Sequence, residues 1–203
     1  MTAPSPLGAF HASNLLTYVS LAAGVGAIAC ASGGNRSAAG ALIAISVMAD
    51  TFDGRFARLF PRTDTQRDVG VQLDSLSDAI AFGVAPAVCA TLLRTGEWTL
   101  AAAGLWWLSI AACAACAITR LAFYNVMHEK AEGFVGLPVP VAALIWPTAL
   151  PFAPGPGVTT ALFAFTAAAM ILPVPLPRPR GIGLAIFVCW PLAVIAGHIA
   201  GEL

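Results

Sequence analysis

The chain has 203 residues, of which 59% are apolar and 10% charged, and its mean hydropathy is +0.83. Soluble domains carry about 25% charged residues, so a soluble chain of this composition would have a sticky surface, and an integral membrane protein is the better reading. Ten Lys and Arg balance ten Asp and Glu, which leaves no net positive charge to draw the chain to nucleic acid.

A membrane span needs about 20 mostly apolar residues. That criterion predicts helices over 14–32, 37–59, 70–93, 98–121, 137–153, 157–175 and 182–200. The first run, "NLLTYVSLAAGVGAIACA", has no basic stretch before it and reads as a retained span, not a cleaved signal. The second ends in "MADTFDGRFARLF" and the third opens with "GVQLDSLSDAIAFGVAPAV", so Asp50, Asp53, Asp74 and Asp78 fall where the pattern is otherwise apolar. The fourth contains Cys113-x-x-Cys116, read as inert packing because no turn or histidine accompanies it. The fifth is short, carries Pro147 and follows Gly136-x-Pro138-x-Pro140, which is expected to shape its start. Spans five to seven hold almost no charge. The fold class expected is all-α: a polytopic transmembrane helical bundle of six to seven spans, forming one domain over 1–203.

With the N-terminus cytoplasmic, the cytoplasmic connections hold Arg55, Arg58, Arg62, Arg67, Arg120, Lys130, Arg178 and Arg180. The opposite side then holds only Arg36 and Arg94. This bias orients the bundle and puts all four aspartates at the cytoplasmic ends of spans two and three. His128 and Lys130 read as solvated loop residues, and Trp98 and Trp146 as interfacial or packing residues.

On a helix at about 100° per residue, Asp50, Asp53, Gly54 and Ala57 fall within about 100° of arc, with Arg58 just beyond. Gly70, Asp74 and Asp78 are spaced four apart and form one stripe. If the two faces meet, four carboxylates surround one pocket. Each costs roughly 2.5–3.5 kcal/mol near the centre of a span and less near its end. Two arginines do not neutralise four such charges, whereas divalent cations do. A carboxylate-only donor set selects hard ions, Mg²⁺ or Mn²⁺, and a pair of such ions clamps the attacking and leaving oxygens of a phosphoryl displacement.

These residues resemble a known signature. "DTFDGRFAR" followed by "GVQLDSLSD" is similar to the pattern D-x-x-D-G-x-x-A-R then G-x-x-x-D-x-x-x-D of the CDP-alcohol phosphotransferases. All eight signature residues are present: Asp50, Asp53, Gly54, Ala57, Arg58, Gly70, Asp74 and Asp78. The connection "LFPRTDTQRDV" is a few residues longer than the family pattern. A narrower likeness, in "LDSLSDAIAFGVAPA", "RLAFYNV" and "GFVGLPVPVAA", is to the bacterial and archaeal phosphatidylserine synthases of this family, and it covers roughly residues 14 to 145.

The resemblance implies transfer of a phosphatidyl group from CDP-diacylglycerol to L-serine, with CMP released. It implies two ions, Mg²⁺ or Mn²⁺, held by Asp50, Asp53, Asp74 and Asp78, with Asp78 as general base. Gly54, Ala57, Arg58 and Gly70 would line the nucleotide site. A homodimer with its site on the cytoplasmic face is also implied. Arg120 is a further candidate, since a guanidinium binds a carboxylate or phosphate bidentately; an ordinary membrane anchor is the alternative.

Two other readings compete. Glycerol 3-phosphate or inositol phosphate as acceptor brings a second phosphate and calls for more basic residues than the later spans offer. A transporter using its carboxylates as a proton or cation relay calls for ionisable groups at several depths, whereas here they gather at one.

Overall fold

The computed structural model describes residues 7, 10–95, 98–127, 134–176 and 182–201. Lys130, His128, Arg178 and Arg180 lie outside the described residues, and so does their share of the charge bias. Helices follow the predicted apolar runs in chain order: α1 (Leu15–Ser32), α2 (Arg36–Ala57), α3 (Asp64–Asp78) and α4 (Ala85–Leu92), then α5 (Leu100–Met127), α6 (Val139–Ala149), α7 (Pro156–Ile171) and α8 (Ile182–Ala200). A π-helical turn, Ala79–Val84, joins α3 to α4 without interrupting the rod. Among the described residues, three helical stretches are long and apolar enough to cross a membrane: Ala12–Ser32, Asp64–Leu92 and Leu100–Met127. Shorter apolar helices run over Val139–Phe152, Pro156–Ile171 and Ala185–Ala200.

Local chemistry sets the ends. Asn35 caps α2 by accepting from Ala38 N at 2.8 Å, and Gly34, with φ of +78°, makes the turn before it. Thr63 and Gln66 form a reciprocal capping box, with Gln66 N donating to Thr63 Oγ1 at 3.2 Å and Thr63 N to Gln66 Oε1 at 3.0 Å. The box satisfies free N–H groups and starts α3 at Asp64, well before Gly70. Most of the connection expected as loop is therefore helix, and Asp74 and Asp78 sit deep in α3 rather than in its first turns. The Gly-Pro-Pro segment does shape the start of the fifth run: Pro138 is the N-cap of α6, with Pro140 in its first turn.

The sequence pattern did not reveal one small element. β1 (Phe134–Val135) pairs antiparallel with β2 (Pro175–Leu176), in the register Phe134↔Leu176 and Val135↔Pro175. Gly136 follows with φ of +69°. A Cβ there would run into the Met170 carbonyl, so only glycine fits the turn.

Packing relies on small residues. Ala23, Ala27 and Ala31 of α1 are buried, as are Ala39, Ile43, Ala44 and Val47 of α2, and these two helices lie side by side. With lipid on both sides, close backbone approach replaces hydrophobic drive. Beyond them α2 contacts α6 and α8, and α5 contacts α7. Leu105, Trp107, Leu108, Phe165 and Ile186 are exposed, as suits side chains that face hydrocarbon. Cys113 is buried, with Sγ 3.6 Å from Thr166 Oγ1 on α7, and all five cysteines are free, in keeping with a packing role.

A close backbone approach joins α1 to the π-helical turn. A Cβ on Gly24 would lie 2.8 Å from Ala81 Cα and 2.9 Å from its Cβ. Gly24→Ala is expected to lower stability by about 1–3 kcal/mol through overpacking. Gly26→Ala, whose Cβ would meet Leu42 Cδ1 at an ordinary 3.5 Å, is expected to be neutral or mildly stabilising. Thermal unfolding of the two variants in detergent checks both.

Candidate active site

The carboxylates meet where α2 and α3 face each other. One oxygen from each of Asp50, Asp74 and Asp78 falls in a group whose members all lie within 4.8 Å of one another. Asp78 is 7% exposed, and Asp50 and Asp74 are half-buried. Asp53 stands beside Asp74 but outside that group. Its Oδ2 accepts a hydrogen bond from Thr17 Oγ1 at 3.1 Å. Thus the structure brings three of the four sequence-predicted ligands to one point and sets the fourth at its edge.

Electrostatics make this arrangement expensive. Two unit charges 4.8 Å apart repel by about 3 kcal/mol at an effective dielectric near 20. Among the described residues the only ion pair is Arg67–Asp64, at 3.4 Å on the surface, so no side-chain cation pairs directly with the cluster. Asp74 Oδ1 is buried without a hydrogen-bond partner. A buried, unpaired carboxylate oxygen within an all-oxygen donor set is what a hard divalent cation takes as a ligand. The residues present fit Mg²⁺ or Mn²⁺.

A cleft of about 120 Å³ opens beside the cluster, lined by Asn14, Thr17, Asp53, Gly54, Ala57, Arg62, Gly70 and Asp74. A Cβ on Gly54 would meet nothing within 4 Å, so a side chain there would project into open space; one on Gly70 would sit 3.2 Å from Asn14 Oδ1. The two glycines keep the cleft floor at backbone level. Arg58 is exposed and does not line the cleft, whereas Arg62 does. Sequence reasoning missed Arg62, Asn14 and Thr17. Asn14, Thr17 and Ser20 interrupt an apolar span at helical spacing, and that periodic polar stripe was the available signal for the last two.

Helix α1 also pins α3. Ser77 Oγ donates to the Thr17 carbonyl at 3.1 Å, one residue from Asp78. Deeper in the bundle, the buried hydroxyls of Ser20 and Ser46 are 2.9 Å apart, and Ser46 Oγ donates to Ser20 O at 2.8 Å. Helix α5 reaches the same level through Ser75 Oγ, which donates to Asn125 Oδ1 at 2.9 Å.

Arg120 does not line the cleft. It is 8% exposed, and its Nη2 donates to the carbonyls of Val135 at 3.4 Å and Gly136 at 3.3 Å. Its guanidinium lies 4.5 Å from the Tyr124 ring centroid, and its buried Nε has no hydrogen-bond partner. A second cavity, of about 190 Å³, is lined by Arg36, Arg94, Trp106 and Trp146 among others and contains no carboxylate among its described residues. The chemistry therefore belongs to the aspartate end.

The family model of the CDP-alcohol phosphatidyltransferases matches residues 10–195. The chain is 35% identical over 136 residues to a CDP-diacylglycerol–serine O-phosphatidyltransferase of Mycobacterium bovis, a match covering 64% of this chain and 45% of that protein. It is 39% identical over 104 residues to a protein of the same name from Methanocaldococcus jannaschii, covering 51% and 46%. It is also 35% identical over 134 residues to an archaetidylserine synthase of Methanothermobacter thermautotrophicus, covering 64% and 54%. The chain spans about half the length of these relatives.

Removing one charge from the cluster relieves repulsion. In chelator, Asp74→Asn is expected to unfold at a higher temperature than the wild type, by the equivalent of about 1–3 kcal/mol. Thermal unfolding in detergent measures it, and a lower transition temperature would count against an uncompensated cluster.

Proposed function

The chain belongs to the CDP-alcohol phosphatidyltransferase family, and we propose that it transfers the phosphatidyl group of CDP-diacylglycerol to L-serine, giving phosphatidylserine and CMP. The observation that carries this reading is the group of Asp50, Asp74 and Asp78, with oxygens within 4.8 Å, beside a glycine-floored cleft. The serine acceptor rests on the names of the relatives and on the scarcity of basic residues in the later spans.

Asp50, Asp53, Asp74 and Asp78 hold Mg²⁺ or Mn²⁺, two ions in the full complement. When bound, the ions supply positive charge against the pyrophosphate oxygens and the leaving CMP. Gly54, Ala57 and Gly70 let the nucleotide approach the backbone, and Arg62, which lines the cleft, offers its guanidinium group to the phosphates. Asp78 takes the proton of the serine hydroxyl. The hydroxyl oxygen forms its bond to the phosphatidyl phosphorus as the P–O bond to CMP breaks. No covalent enzyme intermediate is needed, because positioning and electrostatics suffice for phosphoryl transfer. Arg120 holds the end of β1 and the turn after it through the carbonyls of Val135 and Gly136. In this reading the protein is an integral membrane homodimer whose site opens to the cytoplasmic face, and the diacyl chains stay among the helices.

The test is CMP release by the purified protein in detergent, given CDP-diacylglycerol and Mg²⁺ or Mn²⁺. Serine, glycerol 3-phosphate and inositol phosphate are offered separately, each with a chelator control. Chelator-sensitive release with serine alone is expected; release only with a phosphorylated acceptor would overturn the substrate, and release indifferent to chelator would overturn the metal. Asp78→Asn is expected to lose at least about 100-fold in turnover, and Asp50→Asn to raise the Mg²⁺ concentration needed for half-maximal rate. Normal turnover by Asp78→Asn would sink the base assignment.

A further inference from the structure

We propose that Thr17 is a positioning residue for the metal centre: its hydroxyl orients Asp53 toward the divalent ion and the diphosphate it carries. The proposal rests on the function proposed above and concerns a helix, α1, that supplies none of the signature residues.

Three observations combine. Thr17 Oγ1 donates to Asp53 Oδ2 at 3.1 Å. Thr17 is 6% exposed and lines the same cleft as Asp53, Gly54 and Asp74. Its carbonyl accepts from Ser77 Oγ, so its backbone is tied to α3 beside Asp78 while its side chain is tied to α2. Asp53 is the one signature aspartate outside the close group, and a carboxylate at the edge of a cleft rotates freely unless something holds it. One oxygen committed to Thr17 leaves the other for an ion. A hydroxyl suits this task because it is a neutral donor. An arginine or lysine in the same place would fix the carboxylate equally well but would cancel the charge that attracts the cation. Partners of metal-ligating carboxylates typically affect metal affinity by about 10–100-fold.

The experiment reads metal binding directly. Mn²⁺ is titrated into purified protein in detergent, with and without CMP, and free Mn²⁺ is measured by electron paramagnetic resonance. Thr17→Val keeps the shape and the backbone bond from Ser77 and removes only the hydroxyl; it is expected to weaken Mn²⁺ binding about 10–100-fold. Thr17→Ser is expected to restore wild-type affinity. Because Thr17 acts through Asp53, adding Thr17→Val to Asp53→Asn is expected to cost nothing further. Should the valine protein not fold, Thr17→Ala is read in its place.

Wild-type affinity in Thr17→Val, an equal loss in Thr17→Ser, or additive losses in the double variant would each overturn the proposal. A wild-type protein that binds no Mn²⁺ would overturn both this proposal and the metal reading beneath it. Intact wild-type binding with an unaffected valine variant overturns this proposal alone.

Discussion

Three carboxylates with oxygens within 4.8 Å of one another, and in no ion pair with a side-chain cation among the described residues, repel strongly in a chain that is otherwise apolar. The rest of the bundle holds them there against that repulsion. Asp50 is fixed because α2 packs against α1, α6 and α8. Asp74 and Asp78 are fixed because α3 continues without a break through the π-helical turn into α4. A π-helical turn widens the helix by one residue per turn and is often found at functional sites. Here it begins at the residue after Asp78.

Small residues make that packing feasible. Gly24 brings α1 against Ala81 of the π-helical turn, and a Cβ on Gly83 would stand 3.2 Å from Ala117 Cβ of α5. Two helices therefore flank the turn at backbone distance. The polar bonds of Ser77 to Thr17 and of Ser75 to Asn125 then set rotation and depth. In hydrocarbon such bonds are modest, at about 0.6 kcal/mol on average, so they fix geometry more than they add stability. Packing supplies the rigidity and hydrogen bonds supply the register. Arg120 belongs to the same scheme. Its bonds to the carbonyls of Val135 and Gly136 satisfy an irregular backbone segment that no helix or long sheet would satisfy.

Much of the helical plan was legible in the residues, because apolar runs of span length admit little besides helices. The seven predicted runs each correspond to helix, and seven of the eight motif residues fall on the helices expected, with Arg58 just past the end of α2. Boundaries were less legible. The capping box at Thr63 and Gln66 moved the start of α3 ahead of Gly70, because a local pair of hydrogen bonds outweighed the polar composition of that stretch. The two-residue ladder of β1 and β2 was not legible, since it depends on segments about 40 residues apart meeting beside α7.

The sequence by itself determined the membrane character, the helical class and the identity of the eight motif residues. Composition and short-range periodicity fix those properties one segment at a time. Only the tertiary structure decided which carboxylates converge. Helical phase puts Asp50 and Asp53 on one face, yet it does not say how that face is rotated against α3 or what α1 inserts between them. The docking of three helices settled that: Asp50, Asp74 and Asp78 gather, Asp53 turns to Thr17, and Arg62 lines the cleft while Arg58 stays exposed. The physical reason is that rotation about a helix axis is set by contacts between segments, and no single segment carries that information.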